Sequence, residues 1–248
     1  MSEIRIKKNI HKGKRCFIVA TGQGINSLDL SLLKDEITIG INLILRKEDF
    51  IPDYLCVSDT TVLERHYDEI YDDKMANGHF VVVNGCNTYG SPQHRSMKGI
   101  CTEGSGSTCS GRFEIPERYK VHTVMHEEKS GVCQKFFERL GQKSMGKLIM
   151  TRLDEYYIDS ELRTISVYGC SSLDALAIPV AAYLGCTEIY LIGSDGGRGH
   201  FYDDNSGKRH MEFGFVKNIL SDLGISLFNA DPTNALKGVQ WCSFNSLF

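Results

Sequence analysis

The sequence predicts an α/β fold: a doubly wound, mostly parallel Rossmann-like sheet in one domain spanning 1–248, with a flexible lid or insertion at 85–160. Three observations predict it. Short runs of β-branched and aromatic residues recur along the chain, helix-like segments separate them, and a Gly-x-Gly turn follows the first run directly.

The runs are "CFIVA" (16–20), "ITIGI" (37–41), "YLCVS" (54–58), "HFVVVN" (79–84), "TISVYG" (164–169), "EIYLIG" (188–193) and "ISLF" (225–228). They are apolar throughout rather than alternating, the pattern of strands covered on both faces. Between them, "TTVLERHYDEIYDD" (60–73) places Val62, Leu63, Tyr67 and Ile70 on one helical side. "SLDALAIPVAAYLG" (172–185) is apolar nearly all round, which predicts a buried helix. Ser171 and Asp174 suit its start, Pro179 predicts a kink and Gly185 a stop. "RHMEFGFVKNILSDLG" (209–224) repeats Phe213, Val216, Ile219, Leu220 and Leu223 and stops at Gly224. From Gly85 to Gly111 the chain is rich in glycine and serine without periodicity, a length that marks a functional or mobile loop. "VCQKFFERLG" (132–141) reads as a helix of a small cap.

Composition narrows the function. A net charge of −3 excludes binding of nucleic acid or anionic membrane by bulk charge. No apolar run is long enough to span a bilayer, and the basic N-terminus lacks the apolar core of a secretory signal. Nine scattered cysteines without C-x-x-C spacing predict a reducing, cytoplasmic setting and no zinc site. Cys16, Cys56 and Cys186 read as small buried hydrophobes.

The chemistry gathers at strand ends. In "CFIVATGQGINSLDL" the turn Gly22-Gln23-Gly24 would bring backbone N–H groups near an anion. A dinucleotide site would have a glycine at position 27 and an acid at position 42; Ser27 and Asn42 stand there instead, which argues against NAD. The alternative reading is that Gly22 and Gly24 are ordinary strand-to-helix turn glycines. Asp59, Asn84, Ser171, Ser172 and Asp195 follow or end further runs, so a parallel sheet would bring them to one edge together with Asn42. "GRGHFYDDNSGKRH" adds His200, Tyr202, Asp203, Asp204, Arg209 and His210. Either histidine suits a general base. Ser171 also suits a plain N-cap, and the two adjacent acids a solvated loop.

"FIVATGQGINSLDLSLLKDEITIGIN", "PDYLCVSD" and "GCSSLDALAIPVAAYLGCTEIYLIGSDG" resemble a broad family that includes the sialyltransferases of glycosyltransferase family 42 and the 6-hydroxymethylpterin diphosphokinase-like proteins. The resemblance covers the N-terminal third and 164–248. It implies a nucleotide-binding transferase that uses a CMP-sugar-like donor and needs no metal or other cofactor. Gly22, Gln23, Gly24 and Ser27 match the family's nucleotide turn, Asn42 its first asparagine, and Ser171 and Ser172 its hydroxyl turn. Asp59 falls near the second asparagine, Tyr202 matches a leaving-group tyrosine and His210 the base, with His200 its alternative. Gln23 replaces the family's Asn or Lys, and Gly196-Gly197 replace aromatics.

The expected function is thus sugar transfer from a nucleotide sugar to a glycan or other acceptor hydroxyl, with Asp195 as a further catalytic candidate. Two alternatives stay open: a Mg²⁺-dependent, diphosphokinase-like enzyme using ATP, and a nucleotide-binding subunit without catalysis. The basic stretch Arg5 to Arg15 leaves a nucleic-acid acceptor open, and homo-oligomerisation is open as well.

Overall fold

The computed structural model describes residues 8–57, 62, 66–70, 75, 78–84, 120–128, 146–151, 173–195, 199–203, 214–234 and 236–248. Nine strands form one sheet: β1 (Arg15–Val19), β2 (Ile37–Ile41), β3 (Tyr54–Val57), β4 (His79–Asn84), β5 (Lys120–Glu128), β6 (Gly146–Thr151), β7 (Glu188–Ile192), β8 (Ser226–Asn229) and β9 (Gln240–Trp241). Their order is β6-β5-β4-β3-β2-β1-β7-β8-β9. Every neighbouring pair is parallel except β5 and β6. The chain therefore winds outward from β1 on one side, returns to β1's other side at β7, and winds outward again. That reversal between β1 and β7 is the topological switch point of a doubly wound α/β sheet.

The apolar runs form strands because both of their faces find cover. Successive residues of β1 enter different clusters: Cys16 and Ile18 pack with Ile39, Cys56, Ile189 and Leu191, whereas Phe17 and Val19 pack with Leu55, Tyr190 and Ile192. A helix supplies the first face. It begins as a π-helical segment (Leu173–Ala177) and continues as α2 (Ile178–Tyr183), with Leu176, Ile178, Val180 and Tyr183 all buried. (The four-residue α1, Tyr67–Ile70, precedes it in the chain.) Pro179, which lacks an N–H, follows the change from π to α hydrogen bonding. On the second face, Ile25, Leu30, Leu33 and Ile44, from short 3₁₀ helices after β1 and β2, join Phe244.

Both expected glycine stops occur. Gly185 (φ +86°) ends α2, with the Cys186 N–H donated to Ala181 O at 3.1 Å. Gly224 (φ +73°) ends α3 (Gly214–Asp222), with the Ile225 N–H donated to Leu220 O at 2.8 Å. Cys16, Cys56 and Cys186 are free and buried, as expected of small hydrophobes.

No strand is predicted for 112–160, yet β5 and β6 continue the sheet there. In "KVHTVMHEE" polar residues interrupt the apolar ones, so a search for continuous apolar runs passes over β5. The remainder of 85–160, with its expected lid and the helix at 132–141, lies outside the described residues, as do the run at 164–169 and the Ser171 cap. Among the described residues no helix is long and apolar enough to cross a membrane.

Arg15 ties the start of β1 to the C-terminal 3₁₀ helix (Phe244–Leu247). Its guanidinium donates to both Glu36 oxygens at 3.0 and 2.5 Å and to Leu247 O at 3.0 Å, and it lies 5.5 Å from the Phe17 ring and 5.3 Å from that of Phe248. Arg15→Ala should cost about 1–3 kcal/mol in urea unfolding. Arg15→Lys should recover only part of it, because an ammonium cannot reproduce the two-pronged contact. Equal stability of the alanine variant would show that the contact contributes nothing.

Candidate functional site

The switch point lies between Thr21 and Gly22, which follow β1, and Gly193, Ser194 and Asp195, which follow β7. Gly22 has ordinary extended dihedrals (φ −66°, ψ 157°), so positive φ is not its reason for being glycine. Close approach is. A Cβ there would lie 2.4 Å from Gly193 O and 2.6 Å from Asp195 Cγ. The Gly22 N–H is donated to Gly193 O at 2.8 Å, and the Gln23 N–H to Asp195 Oδ2 at 2.8 Å. These two N–H groups of the turn thus already have protein acceptors, and the one beside Gln23 is the buried Asp195 side chain. The turn leads into a 3₁₀ helix, Gln23–Ser27, rather than an α-helix, and Ser27 Oγ donates to Gly24 O at 2.9 Å within it.

Asp231, two residues past β8, completes this side. It is fully buried, and a Cβ on Gly24 would lie 2.7 Å from its Oδ2. Oδ1 accepts the Thr233 N–H at 2.8 Å and the Thr233 hydroxyl. Among the described residues, Asp231 Oδ2 and Ser194 Oγ are the buried side-chain atoms without a hydrogen-bond partner.

The loop 199–203 folds onto the turn. The Phe201 N–H is donated to Thr21 O at 2.8 Å, and the backbones of His200 and Asp203 pair in both directions. Thr21 Oγ1 lies 2.7 Å from His200 Nδ1 and also hydrogen-bonds Tyr202. The His200 and Tyr202 rings stack at 5.1 Å with 7° between planes. Arg46, the last residue of the 3₁₀ helix Ile44–Arg46, places its guanidinium 4.4 Å from the Tyr202 ring centre. Burial pushes the Tyr202 phenol up, against the opposing pull of Arg46 and the Thr21 hydrogen bond.

Arg46 also grips Glu69 in two-pronged fashion, Nε to Oε2 at 2.5 Å and Nη2 to Oε1 at 2.9 Å. His66 Nδ1 lies 2.8 Å from the same Oε1. Arg46, then His66, holds the Glu69 carboxyl down at about 2. Since a depressed carboxylate stabilises above its unfolded pKa of 4.5, this contribution should be present above 4.5 and fade as pH falls toward 2. The pair is partly exposed, so the loss should be under about 1 kcal/mol. Side-chain carboxyl NMR checks it: a Glu69 midpoint at the ordinary value would disprove the pairing.

Of the residues expected at the site, the structure brings Gly22, Gln23, Gly24, Asp195, His200 and Tyr202 together. Asn42 follows β2 at the same edge in left-handed backbone (φ +52°), with its N–H donated to Cys56 O at 3.0 Å. Asn84 ends β4, also at that edge. Asp59, Ser171, Ser172 and His210 lie outside the described residues. Thr21, Arg46, His66, Glu69 and Asp231 were missed. Thr21 and Asp231 carry a signal, a polar residue just past an apolar run; the other three carry none.

These features define a doubly wound α/β protein with polar side chains gathered at its switch point. Comparison with protein-family models, curated proteins and solved structures found no match. Among the described residues no cluster of three His, Cys, Asp or Glu side chains could hold a metal ion.

Proposed function

We propose that the protein is a glycosyltransferase, moving a sugar from a nucleotide-activated, CMP-sugar-like donor to an acceptor hydroxyl of a glycan or similar molecule. The observation that supports this reading is the exposed His200, set at the switch point by Thr21. If the Thr21 hydroxyl donates to Tyr202, its oxygen accepts the Nδ1–H of His200, and Nε2 keeps its lone pair for a substrate. In this reading Nε2 takes the acceptor's proton, the acceptor oxygen bonds to the anomeric carbon, and the sugar–phosphate C–O bond breaks with its electrons leaving on the phosphate. Tyr202 stands beside His200 to meet that leaving group, and no cofactor beyond the donor is involved.

Thermal shift with CMP and UDP, followed by donor hydrolysis and transfer with common nucleotide sugars, tests the reading. Stabilisation with turnover supports it; the absence of both refutes it. The carboxylates of Asp195 and Asp231 beside the turn favour a second reading, pyrophosphate transfer from ATP, in which those oxygens would hold Mg²⁺. Magnesium-dependent nucleotide binding distinguishes the two.

A further inference from the structure

We infer that Arg46 and His66 form a phosphate-recognition site beside the switch point, at the position where they hold the Glu69 carboxylate. The inference deepens the transferase reading and takes from it only the nature of the anion. A donor phosphate needs hydrogen-bond donors, and the Gly22 and Gln23 N–H groups are committed to Gly193 O and Asp195. Arg46 offers what the turn does not. Its planar fork presents two N–H groups in parallel, the geometry that fits carboxylate and phosphate alike.

Three further features fit an occupant that leaves. His66 Nδ1 and Arg46 Nη2 converge on the single oxygen Oε1 of Glu69, so that position is an oxyanion position with donors from two segments. The Arg46 and Glu69 side chains are 33% and 41% exposed, so a ligand can reach them, and an exposed ion pair is weak enough to exchange. Finally, Arg46 lies over Tyr202, which stacks on His200. A phosphate taking the place of Glu69 would sit on the guanidinium that covers the Tyr202 ring, with His200 stacked on that ring in turn.

The experiment is calorimetric titration of the full chain with inorganic pyrophosphate, and separately with CMP and UDP, on the wild type, Arg46→Lys and Glu69→Gln. Glu69→Gln should bind pyrophosphate several-fold more tightly than the wild type. Arg46→Lys should weaken it by about tenfold, the loss of one charge-assisted hydrogen bond. In the wild type, the ¹⁵Nε signal of Arg46 should shift as pyrophosphate is added, a measurement that needs no variant. Nucleotide binding that leaves that signal and both variants' affinities unchanged would overturn the inference while the transferase reading stands. Pyrophosphate binding through Arg46 with no binding of either nucleotide would uphold the inference and remove the transferase reading. A silent Arg46 signal with no pyrophosphate binding to Glu69→Gln overturns the inference outright.

Discussion

His200→Ala should reduce donor turnover by about 10²- to 10⁴-fold, the usual contribution of a positioned general base, while leaving nucleotide binding near the wild-type level. The stability cost should be small. His200 is exposed, and its described side-chain contacts are the Thr21 hydrogen bond and the Tyr202 stack. Thr21→Val is the companion. It keeps the shape of the buried Thr21 but removes the oxygen that fixes the imidazole, so it should lower kcat by less than the loss of the base itself. Steady-state kinetics on both variants, with nucleotide affinity measured separately, checks the pair. Wild-type turnover in His200→Ala would move the base elsewhere, with His210 the next candidate from the sequence.

Gly22→Ala should be among the most damaging single substitutions in the chain. The added Cβ would meet Gly193 O at 2.4 Å, and that oxygen cannot retreat without losing the bond it receives from the Gly22 N–H. Retreat of the Asp195 carboxylate, 2.6 Å away at Cγ, would cost the Gln23 N–H its acceptor. Relief therefore means parting β1 from β7 at the switch point. Overpacking of this kind costs about 1–3 kcal/mol, and the lost hydrogen bonds add about 1 kcal/mol each. Each kcal/mol lowers the melting temperature by about 2–4 °C in a chain of this size. Gly13→Ala is the control. It is also strained, at φ +75°, but nothing lies within 4 Å of its Cβ, so it should melt well above Gly22→Ala. Equal melting of the two variants would refute the argument from close approach.

The central sheet was legible because its strands are buried on both faces, so "CFIVA", "ITIGI" and "EIYLIG" announce themselves without reference to the rest of the chain. β9, two residues long, and the 3₁₀ helices of three to five residues are too short to show a period. The same physics divides the site. A parallel sheet sends all its strand ends to one edge, so the sequence alone groups Gly22, Asn42 and Asp195. The contact of Arg46 with Glu69 and Tyr202 joins three segments that no local pattern relates, and only the folded chain brings them together. The turn itself was read as a cradle for a bound anion. Its glycines let the end of β7 and the carboxyl groups of Asp195 and Asp231 come close to the turn, which no pattern in the sequence shows.

The position of β1 also shapes how the chain reaches its native state. β2, one partner of β1, is synthesised soon after it, but the other, β7, belongs to the last quarter of the sequence, and the Leu247 carbonyl that Arg15 grips comes later still. Until then "RCFIV" carries an unpaired, apolar edge. A nascent chain in that condition is open to pairing with its neighbours, so folding yield should depend on synthesis rate and on protection of the half-built sheet.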